Sequence, residues 1–594
     1  MFQTFDVATD PSTGPGRLAN LRAGLVAAGV DGFLVPRADV HQGEYVAPCD
    51  ARLEWLTGFS GSAGFCAVLP EVAGVFVDGR YRVQVRAQVA DVFAPVDWPE
   101  VALADWLTGQ LPSGGSVGFD PWLHTVTEIE KLSEALGETP ITLSPIINPI
   151  DAIWTDQPAP PAAPYHIQPL EFAGEDHDAK RKRLGQAMKA DHCIITLPDS
   201  IAWLLNLRGG DIARNPVPHA LVILARDGTV QLFARPGQAD PVVDHLGAAV
   251  TVRDWAEFSQ AVRDLTGTVQ IDTASCPVAI KDLVANGDLI RADDPCRMPK
   301  ACKNETEIAG ARAAHHRDAI AMVNFLAWLD AEAPKGGLAE IDVVTKLEGF
   351  RRGSNALRDI SFDTISGAGP NGAIVHYRVD ENTNRAVKPG ELLLVDSGGQ
   401  YDDGTTDITR TISIGAPSDE HKTCYTQVLR GMVAVSMARF PTGVGGQHLD
   451  ALARTPLWQA GRDYDHGTGH GVGSYLCVHE GPQGLSRRST VAFAPGMILS
   501  NEPGYYREGA FGIRIENLIV VIAAPDLAGA DNRVMHAFET LTYVPFDRRL
   551  IDVDQLTHAE RDWINQYHAD TLQRLTDHVE GPTADWLRAA CAPL

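Results

Sequence analysis

The N-terminal half of the chain repeats one succession of apolar and polar positions. In each of two stretches, a helical pattern precedes a short apolar strand, a Trp-Leu pair and two further strands. Trp55 and Trp203 occupy matching places in the two stretches. The predicted strands are residues 32–35, 65–69, 74–77, 193–197, 220–224 and 229–233. The shared order predicts an internal duplication, with two similar α/β domains in tandem.

Two boundaries divide the chain into three predicted domains. Residues 157–164 include four prolines, which suit neither a helix nor a central strand, and they mark the first boundary. At the second boundary Asn304 can cap a helix, and Glu307 can complete a capping box. We therefore expect an N-terminal α/β domain at 1–156, a duplicated α/β domain at 165–300 and a third domain at 301–594.

The segment from about residue 548 to the C-terminus is predicted to be helical, because large apolar residues recur in it at helical spacing. These residues are Leu556, Trp563, Ile564, Tyr567, Leu572, Leu575 and Trp586. Left exposed, they would be an aggregation liability. Two placements are open: the segment packs against its own third domain, or it lies near an interface between two copies of the chain.

Composition and charge exclude several classes of function. Of the 594 residues, 44% are hydrophobic and 21% are charged, as in an ordinary folded protein. The formal net charge of −26 disfavours binding to nucleic acid or to an anionic membrane. No apolar run approaches the roughly 20 residues that span a bilayer, and the N-terminus lacks a secretory pattern. Nine cysteines without a CxxC pair indicate reduced thiols, so we expect a cytoplasmic protein.

Two aspartates of the third domain are predicted to meet at one point. The apolar strand of residues 391–395 ends in Asp396, and the return strand after a turn at 401–404 carries Asp407. A hairpin of this length can bring both side chains together. Two carboxylates beside a buried strand repel each other, and one is driven to protonate unless a cation lies between them.

A second acidic pair follows the same logic. Glu502 ends one predicted strand, and Glu516 shares a face with Arg514 on an alternating strand at 512–517. Between the acidic pairs lies a glycine-rich run that contains His470, and its glycines let the backbone approach a site closely. Four carboxylates and one imidazole describe two bridged metal ions. A ligand set that is mostly oxygen favours Mn²⁺, with Co²⁺, Fe²⁺ or Zn²⁺ as alternatives.

These motifs resemble those of the dimetal "pita-bread" peptidases, a family that includes methionine aminopeptidase, prolidase and aminopeptidase P. The matching strings are VDSGG at 395–399, TDITR at 406–410, HGTGHGVG at 466–473, NEPGYY at 501–506 and GIRIEN at 512–517. The segment NGAIVHY at 371–377 and the doubled N-terminal half extend the resemblance, which is to the long, three-domain cytosolic aminopeptidase P. It implies an α/β and α+β fold, with two tandem creatinase-N-terminal-like domains followed by a C-terminal pita-bread catalytic domain.

The resemblance implies a metal-dependent aminopeptidase, a hydrolase that removes the N-terminal residue of peptides with proline in second position. The family does so through a hydroxide that bridges two metal ions, usually as a homodimer. The ligands map onto Asp396, Asp407, His470, Glu502 and Glu516. Asp396 is expected to bind one ion, His470 and Glu502 the other, and Asp407 and Glu516 both. Glu502 is also expected to act catalytically, as the proton shuttle.

The resemblance also implies roles around the ligands. His376 and His479 match catalytic histidines that stabilise the tetrahedral intermediate or donate a proton to the proline nitrogen. His466 matches a wall of the proline pocket, so all three histidines are expected to bind substrate. Arg514 and Thr409 are expected to support the metal ligands from behind.

Other functions remain open. A prolidase, which cleaves Xaa-Pro dipeptides, would share all five ligands but usually has one N-terminal domain. Methionine aminopeptidase would leave the N-terminal half unexplained. A non-catalytic pita-bread binding module typically loses metal ligands, and none is lost from this sequence.

Overall fold

The computed structural model describes residues 1–7 and 9–594, and the chain forms two compact units. One unit comprises residues 8–297, and the other comprises residues 298–594 together with residues 1–7. Within the described ranges, no helix is both long enough and apolar enough to cross a bilayer.

The unit of residues 8–297 begins with a six-stranded sheet. Its strands are β1 Gly32–Pro36, β2 Phe65–Val68, β3 Ala73–Val77, β4 Ala94–Asp97, β5 Gly115–Phe119 and β6 Ile141–Pro145. They lie in the order β4-β3-β2-β1-β5-β6. The β2 strand runs antiparallel to β1 and β3, whereas the other neighbours are parallel.

A second six-stranded sheet follows in the same unit. Its strands are β7 His192–Ile195, β8 Leu221–Ala225, β9 Val230–Ala234, β10 Val250–Asp254, β11 Gly267–Ile271 and β12 Gly287–Arg291. The order β10-β9-β8-β7-β11-β12 and the strand directions repeat those of the first sheet. The predicted duplication is therefore confirmed. A short pair, His166–Ile167 with Leu207–Arg208, stands apart from both sheets.

Helices bury the apolar faces of both sheets. The helices of the first half are Gly14–Ala28, Arg52–Thr57, Arg82–Gln88, Leu103–Gln110, Val126–Leu136 and Pro149–Ile153. Those of the second half are Leu170–Ala173, His177–Ala187, Pro198–Leu205, Val243–Leu246, Phe258–Arg263 and Val278–Leu283. Trp55 and Trp203 lie on matching helices of the two halves but contact different groups. Trp55 stacks on Trp154 with ring centroids 5.3 Å apart, whereas Trp203 packs against the Lys180 ammonium at 4.1 Å.

The strands of the other unit form three sheets and a separate two-stranded hairpin. Its strands are β13 Asp359–Ile360, β14 Ile365–Ala368, β15 Leu392–Ser397, β16 Gly399–Tyr401, β17 Gly404–Thr405, β18 Ile408–Ser413, β19 Arg439–Pro441, β20 Gly469–Gly471, β21 Glu480–Leu485, β22 Ile498–Asn501, β23 Gly504–Arg507, β24 Phe511–Arg514, β25 Asn517–Ala523 and β26 Met535–Thr540. They form sheets in the orders β14-β15-β18, β13-β16-β17 and β19-β26-β25-β22-β20-β21, and a β23-β24 hairpin.

The helices of this unit are Arg297–Ala301, Glu305–Glu332, Glu340–Arg352, Asp419–Ser436, Gly446–Trp458, His558–Leu575 and Gly581–Ala590. The predicted cap is present, because Asn304 and Glu307 form a capping box at the start of the longest helix. Met322 and Leu329 on that helix are buried together with Val395 of β15. The long helix thus backs the strand that leads to Asp396.

The C-terminal segment packs into this unit. Ile564 and Tyr567 belong to one of its apolar clusters, and Leu575 and Leu587 belong to another. The Trp586 indole nitrogen donates to Asp330 Oδ2 at 2.8 Å. Because these large side chains are buried or partnered within the chain, they give no reason to place the segment at an interface between copies.

The first seven residues also lie in this unit, although the predicted N-terminal domain began at residue 1. The backbone nitrogens of Phe2 and Gln3 donate to the buried Glu348 carboxylate, at 2.7 and 3.3 Å. The Gln3 side chain exchanges two hydrogen bonds with the backbone of Thr364. The start of the chain is therefore bound to residues that lie more than 300 positions later.

Candidate metal centre

The predicted hairpin places two aspartates at the end where its two strands are connected. The β15 and β18 strands pair antiparallel with Asp396 opposite Thr409, and Asp407 immediately precedes β18. Gly398, in the connection between them, leaves no room for a side chain, since a Cβ there would lie 1.9 Å from the Thr406 carbonyl oxygen. The hairpin thus closes tightly behind the two carboxylates.

The second acidic pair lies where two strand ladders meet. Glu502 follows β22 and Glu516 precedes β25, next to the paired residues Asn501 and Asn517. The prediction of one continuous strand at 512–517 is wrong, because β24 ends at Arg514 in the β23-β24 hairpin and β25 belongs to the six-stranded sheet.

The imidazole of His470 lies among these carboxylates. Its Nε2 is 3.3 Å from Glu502 Oε1 and 3.6 Å from Asp407 Oδ2, and its Nδ1 lies 2.9 Å from the Gly471 carbonyl oxygen. That backbone contact favours a proton on Nδ1 and leaves Nε2 as the ligand atom. One ligand atom each from Asp407, His470 and Glu516 lies within 4.8 Å of the others.

The carboxylates lack enough positive charge to balance them. Burial, together with repulsion from Glu516, Asp396 and Glu502, raises the pKa of the Asp407 carboxyl well above its ordinary value. Burial, together with repulsion from Glu502 and Asp396, raises the pKa of the Glu516 carboxyl well above its ordinary value as well. Burial also raises the pKa of Glu502 to about 7, although Arg514 opposes the shift. Divalent cations would remove this conflict.

Three buried oxygens at this point have no hydrogen-bond partner among the described residues. They are Asp396 Oδ1, Asp407 Oδ1 and Glu516 Oε1. Buried carboxylate oxygens are nearly always partnered, so three unpartnered ones in a cluster that includes an imidazole fit metal coordination. The donor set, oxygen with one nitrogen and no thiolate, suits Mn²⁺ and other borderline or hard divalent ions.

Arg514 is the cation of the site. Its Nη2 donates to Asp396 Oδ2 at 2.6 Å, its Nε donates to Thr409 Oγ1 at 3.2 Å, and its Nη1 donates to Tyr506 at 2.7 Å. The Thr409 hydroxyl in turn donates to Glu516 Oε2 at 2.8 Å. Arg514 therefore contacts two predicted metal ligands, Asp396 and, at 4.0 Å, Glu502, while Thr409 contacts a third, Glu516.

The three predicted substrate-binding histidines lie near the same cluster. The His479 ring packs against the His470 ring with centroids 4.2 Å apart. His466 Nε2 lies 2.9 Å from the Tyr506 hydroxyl, which contacts Arg514. His376 follows Val375, whose carbonyl oxygen accepts from Arg514 Nη1 at 3.2 Å. All three rings have some exposure to solvent, as groups that meet a substrate require.

Two polar residues for which no role was predicted hold this arrangement. The Ser500 hydroxyl donates to Glu502 Oε1 at 3.0 Å and accepts from the His470 backbone nitrogen at 2.9 Å. Tyr506 joins Arg514 to His466. Both residues lie beside predicted ligands in the chain, but polar residues at strand ends are too common to single out without the fold.

Family models match the chain along most of its length. Residues 17–153 and 156–307 each match the creatinase/prolidase N-terminal domain. Residues 309–523 match metallopeptidase family M24, and residues 534–594 match the C-terminal region of peptidase M24. The predicted fold class, two creatinase-N-terminal-like domains before a pita-bread domain, is confirmed.

Relatives from plants and fungi are similar over nearly the whole chain. Aminopeptidase P2 of Arabidopsis thaliana is 38% identical, in an alignment that covers 95% of this chain and 86% of that protein. A probable Xaa-Pro aminopeptidase P of Laccaria bicolor is 37% identical over 97% of this chain and 93% of that protein. The crystal structure of X-prolyl aminopeptidase from Caenorhabditis elegans, a cytosolic enzyme with a di-nuclear active site, superimposes with a TM-score of 0.92 at 32% identity. It covers 98% of this chain and 100% of its own.

Proposed function

The chain belongs to the aminopeptidase P group of metallopeptidase family M24, and we propose that it is a Xaa-Pro aminopeptidase with a dinuclear metal centre. The observation that carries the proposal is that ligand atoms of Asp407, Glu516 and His470 lie within 4.8 Å of one another, in a cluster where Asp396, Asp407 and Glu516 each have a buried carboxylate oxygen without a hydrogen-bond partner among the described residues. Such a centre, in a chain whose relatives bear that name, supports metal-dependent removal of an N-terminal residue before proline.

The five ligand positions divide into two groups. Asp407 and Glu516 are buried, each with a ligand atom within 4.8 Å of the other and of His470, and they would hold both ions. Asp396 would hold one ion, while His470 and Glu502, whose side chains lie 3.3 Å apart, would hold the other. When bound, two divalent ions lower the pKa of a water molecule, polarise the scissile carbonyl and orient the free amine of the substrate.

The chain's own residues supply the remaining chemistry. A Xaa-Pro amide has no N–H and a fixed ring, so the site must recognise it by shape rather than by a backbone hydrogen bond. His466, supported by Tyr506, would form one wall of the proline pocket. His479 and His376 would stabilise the tetrahedral intermediate or donate a proton to the proline nitrogen. Glu502, whose Oε1 accepts from the Ser500 hydroxyl, would carry the proton from the attacking water.

Three further statements belong to the same proposal. Mn²⁺ is the preferred ion because the donors are mostly carboxylate oxygens. The enzyme acts as a homodimer, as the family resemblance implies. It works in the cytoplasm, which the nine free cysteines and the description of the nematode enzyme as cytosolic both favour.

A peptide panel tests the activity. The enzyme is stripped with a chelator, reloaded with Mn²⁺, and offered Xaa-Pro, Xaa-Pro-Yaa and Xaa-Ala-Yaa peptides of otherwise equal composition. An aminopeptidase of this kind cleaves Xaa-Pro-Yaa and spares Xaa-Ala-Yaa. Cleavage of the dipeptide alone would identify a prolidase instead. No cleavage by a protein that binds two ions would favour the binding module, and Asp407→Ala serves as the inactive control.

A further inference from the structure

The strand that follows Asp407 carries a buried arginine with no carboxylate partner among the described residues. Arg410 is 1% exposed and lies on β18, opposite Val395. Its guanidinium donates instead to oxygens of the backbone and of neutral side chains. A buried charge is costly unless its hydrogen bonds are satisfied, so a site with only neutral acceptors indicates a positional role.

One side of this guanidinium hydrogen-bonds to the two segments that carry the proposed metal ligands Asp407 and Glu516. Its Nη1 donates to the carbonyl oxygens of Thr409 at 2.9 Å and Glu516 at 2.5 Å, and its Nη2 donates to Asn517 Oδ1 at 2.8 Å. The Glu516 backbone nitrogen donates in turn to the Thr409 carbonyl oxygen at 3.2 Å. Arg410 thus fixes the backbone of a proposed ligand to both ions, and of the threonine that holds its carboxylate.

The other side of the guanidinium meets Val544 and a helix of the C-terminal segment. Arg410 Nη2 donates to the Val544 carbonyl oxygen at 2.7 Å and to the Tyr567 hydroxyl at 3.1 Å. That hydroxyl also accepts from the Val544 nitrogen at 3.0 Å, and it lies 2.8 and 3.0 Å from the carbonyl oxygens of Val544 and Thr542. Tyr567 belongs to the helix His558–Leu575, which lies beyond the last ligand strand.

We propose that Arg410 and Tyr567 are positioning residues, through which the C-terminal helix sets the geometry of the metal centre. The inference rests on the proposed metal-dependent function. It gives the C-terminal segment a role in metal affinity rather than in assembly alone. Partners that orient metal ligands from behind typically change metal affinity by about 10- to 100-fold when removed.

Tyr567→Phe is the test, because it removes only the hydroxyl. The ring keeps its stacking on Phe546 and Trp563, at 4.6 and 5.4 Å between centroids. Mn²⁺ is titrated into chelator-stripped full-length protein against a fluorescent competing chelator, and Tm is measured with and without Mn²⁺. We expect Mn²⁺ to bind about tenfold more weakly and to raise Tm less than it does in the wild type.

The matched control is Tyr425→Phe. This hydroxyl is also fully buried and accepts from the Asp547 backbone nitrogen at 3.3 Å. It makes no hydrogen bond with Arg410 among the described residues, so the same chemical change leaves the hydrogen bonds of the guanidinium in place. We expect wild-type Mn²⁺ affinity from it. A merely structural contact would lower Tm equally with and without metal and leave the affinity unchanged.

Wild-type Mn²⁺ affinity in Tyr567→Phe would overturn the proposal. Should that variant not fold, Arg410→Lys is the second test, because lysine keeps the positive charge but lacks the N–H donors of the guanidinium. Wild-type Mn²⁺ affinity in Arg410→Lys would also overturn the proposal. If neither variant folds, the contact serves stability alone and the inference is wrong. Because the assay needs no substrate, wild-type protein that binds Mn²⁺ but spares Xaa-Pro-Yaa peptides would refute the proposed activity and leave this inference intact.

Discussion

The Arg514 guanidinium donates to Asp396 Oδ2 at 2.6 Å, in a contact from which water is almost fully excluded. The same guanidinium donates to the hydroxyls of Thr409 and Tyr506. It therefore orients Asp396 directly and Glu516 through the Thr409 hydroxyl. A lysine at this position would keep the charge and lose the fork of donors. The pairing therefore depends on geometry as well as on charge.

Arg514→Lys should lower kcat/KM about 10- to 100-fold while saturating Mn²⁺ still fills the site, because Asp396 and Thr409 lose their orientation. Steady-state kinetics with Xaa-Pro-Yaa peptides and metal analysis of the same preparation check this expectation. Wild-type kinetics in the lysine variant would mean that charge alone matters.

The metal-free protein should lose stability as the pH rises from about 4.5 to about 7. The pKa of Glu502 is raised to about 7, and those of Asp407 and Glu516 are raised in the same direction. Groups whose pKa is higher in the folded protein favour folding below their unfolded pKa and lose that contribution through the folded one. Thermal unfolding across this range measures the effect, and Glu502→Gln should show a shallower dependence.

Mn²⁺ should reverse the trend, because the cation replaces the protons on these carboxylates. The rise in Tm on adding Mn²⁺ should be larger at pH 8 than at pH 5, and calorimetry should detect protons released on binding. Binding without proton release at pH 6 would contradict the raised pKa values.

Asp407→Ala and Glu516→Ala should be the most damaging ligand substitutions, since each side chain is assigned to both ions. We expect metal analysis to find neither ion at full occupancy, and peptidase activity to be lost. His470→Ala should retain one ion. Equal loss of bound metal in all three variants would argue against the proposed assignment of Asp407 and Glu516 to both ions and of His470 to one.

His376→Ala and His479→Ala should lower kcat by about 10²–10⁴ while metal content stays near normal. The reason is that both rings are assigned to the substrate rather than to the ions. Metal analysis separates the possibilities for His479, whose ring lies against His470. Loss of metal in His479→Ala would make it a ligand.

Deleting residues 548–594 should yield insoluble protein whatever the oligomeric state. The deletion removes Ile564, Tyr567 and Leu575 from the core, and each large buried side chain is worth about 2–5 kcal/mol against a total stability of about 5–15 kcal/mol. The dimer is therefore tested on the full chain by light scattering. A mass near twice 64.0 kDa is expected, and a single species near 64.0 kDa would contradict it.

The sequence was sufficient for the architecture and for the proposed ligand positions. Strand ends and tight turns leave local marks, so Asp396 and Asp407 could be placed on one hairpin from eleven residues of chain. The duplicated sheets could be predicted because apolar strands of similar length recur in the same order. These features depend on neighbours along the chain.

Contacts between distant strands could not be predicted in the same way. Arg514 and Asp396 are separated by 118 positions, and Arg410 and Tyr567 by 157, so their pairing follows from the sheet topology. The strand at 512–517 was misread because its alternating pattern continues smoothly through Ile515, where the chain leaves one sheet for another. Periodicity records which residues are buried but not which sheet buries them.

The contact of residues 1–7 with Glu348 and Thr364 makes the catalytic unit discontinuous in sequence. Two whole domains are in effect inserted between its first residues and the rest of it. A fragment starting at residue 298 would leave the Glu348 carboxylate, which is 2% exposed, without the backbone donors of Phe2 and Gln3. An N-terminal tag or the removal of the first residues would likewise disturb these hydrogen bonds within the peptidase unit. Residues 1–7 are therefore part of the structure of the peptidase unit.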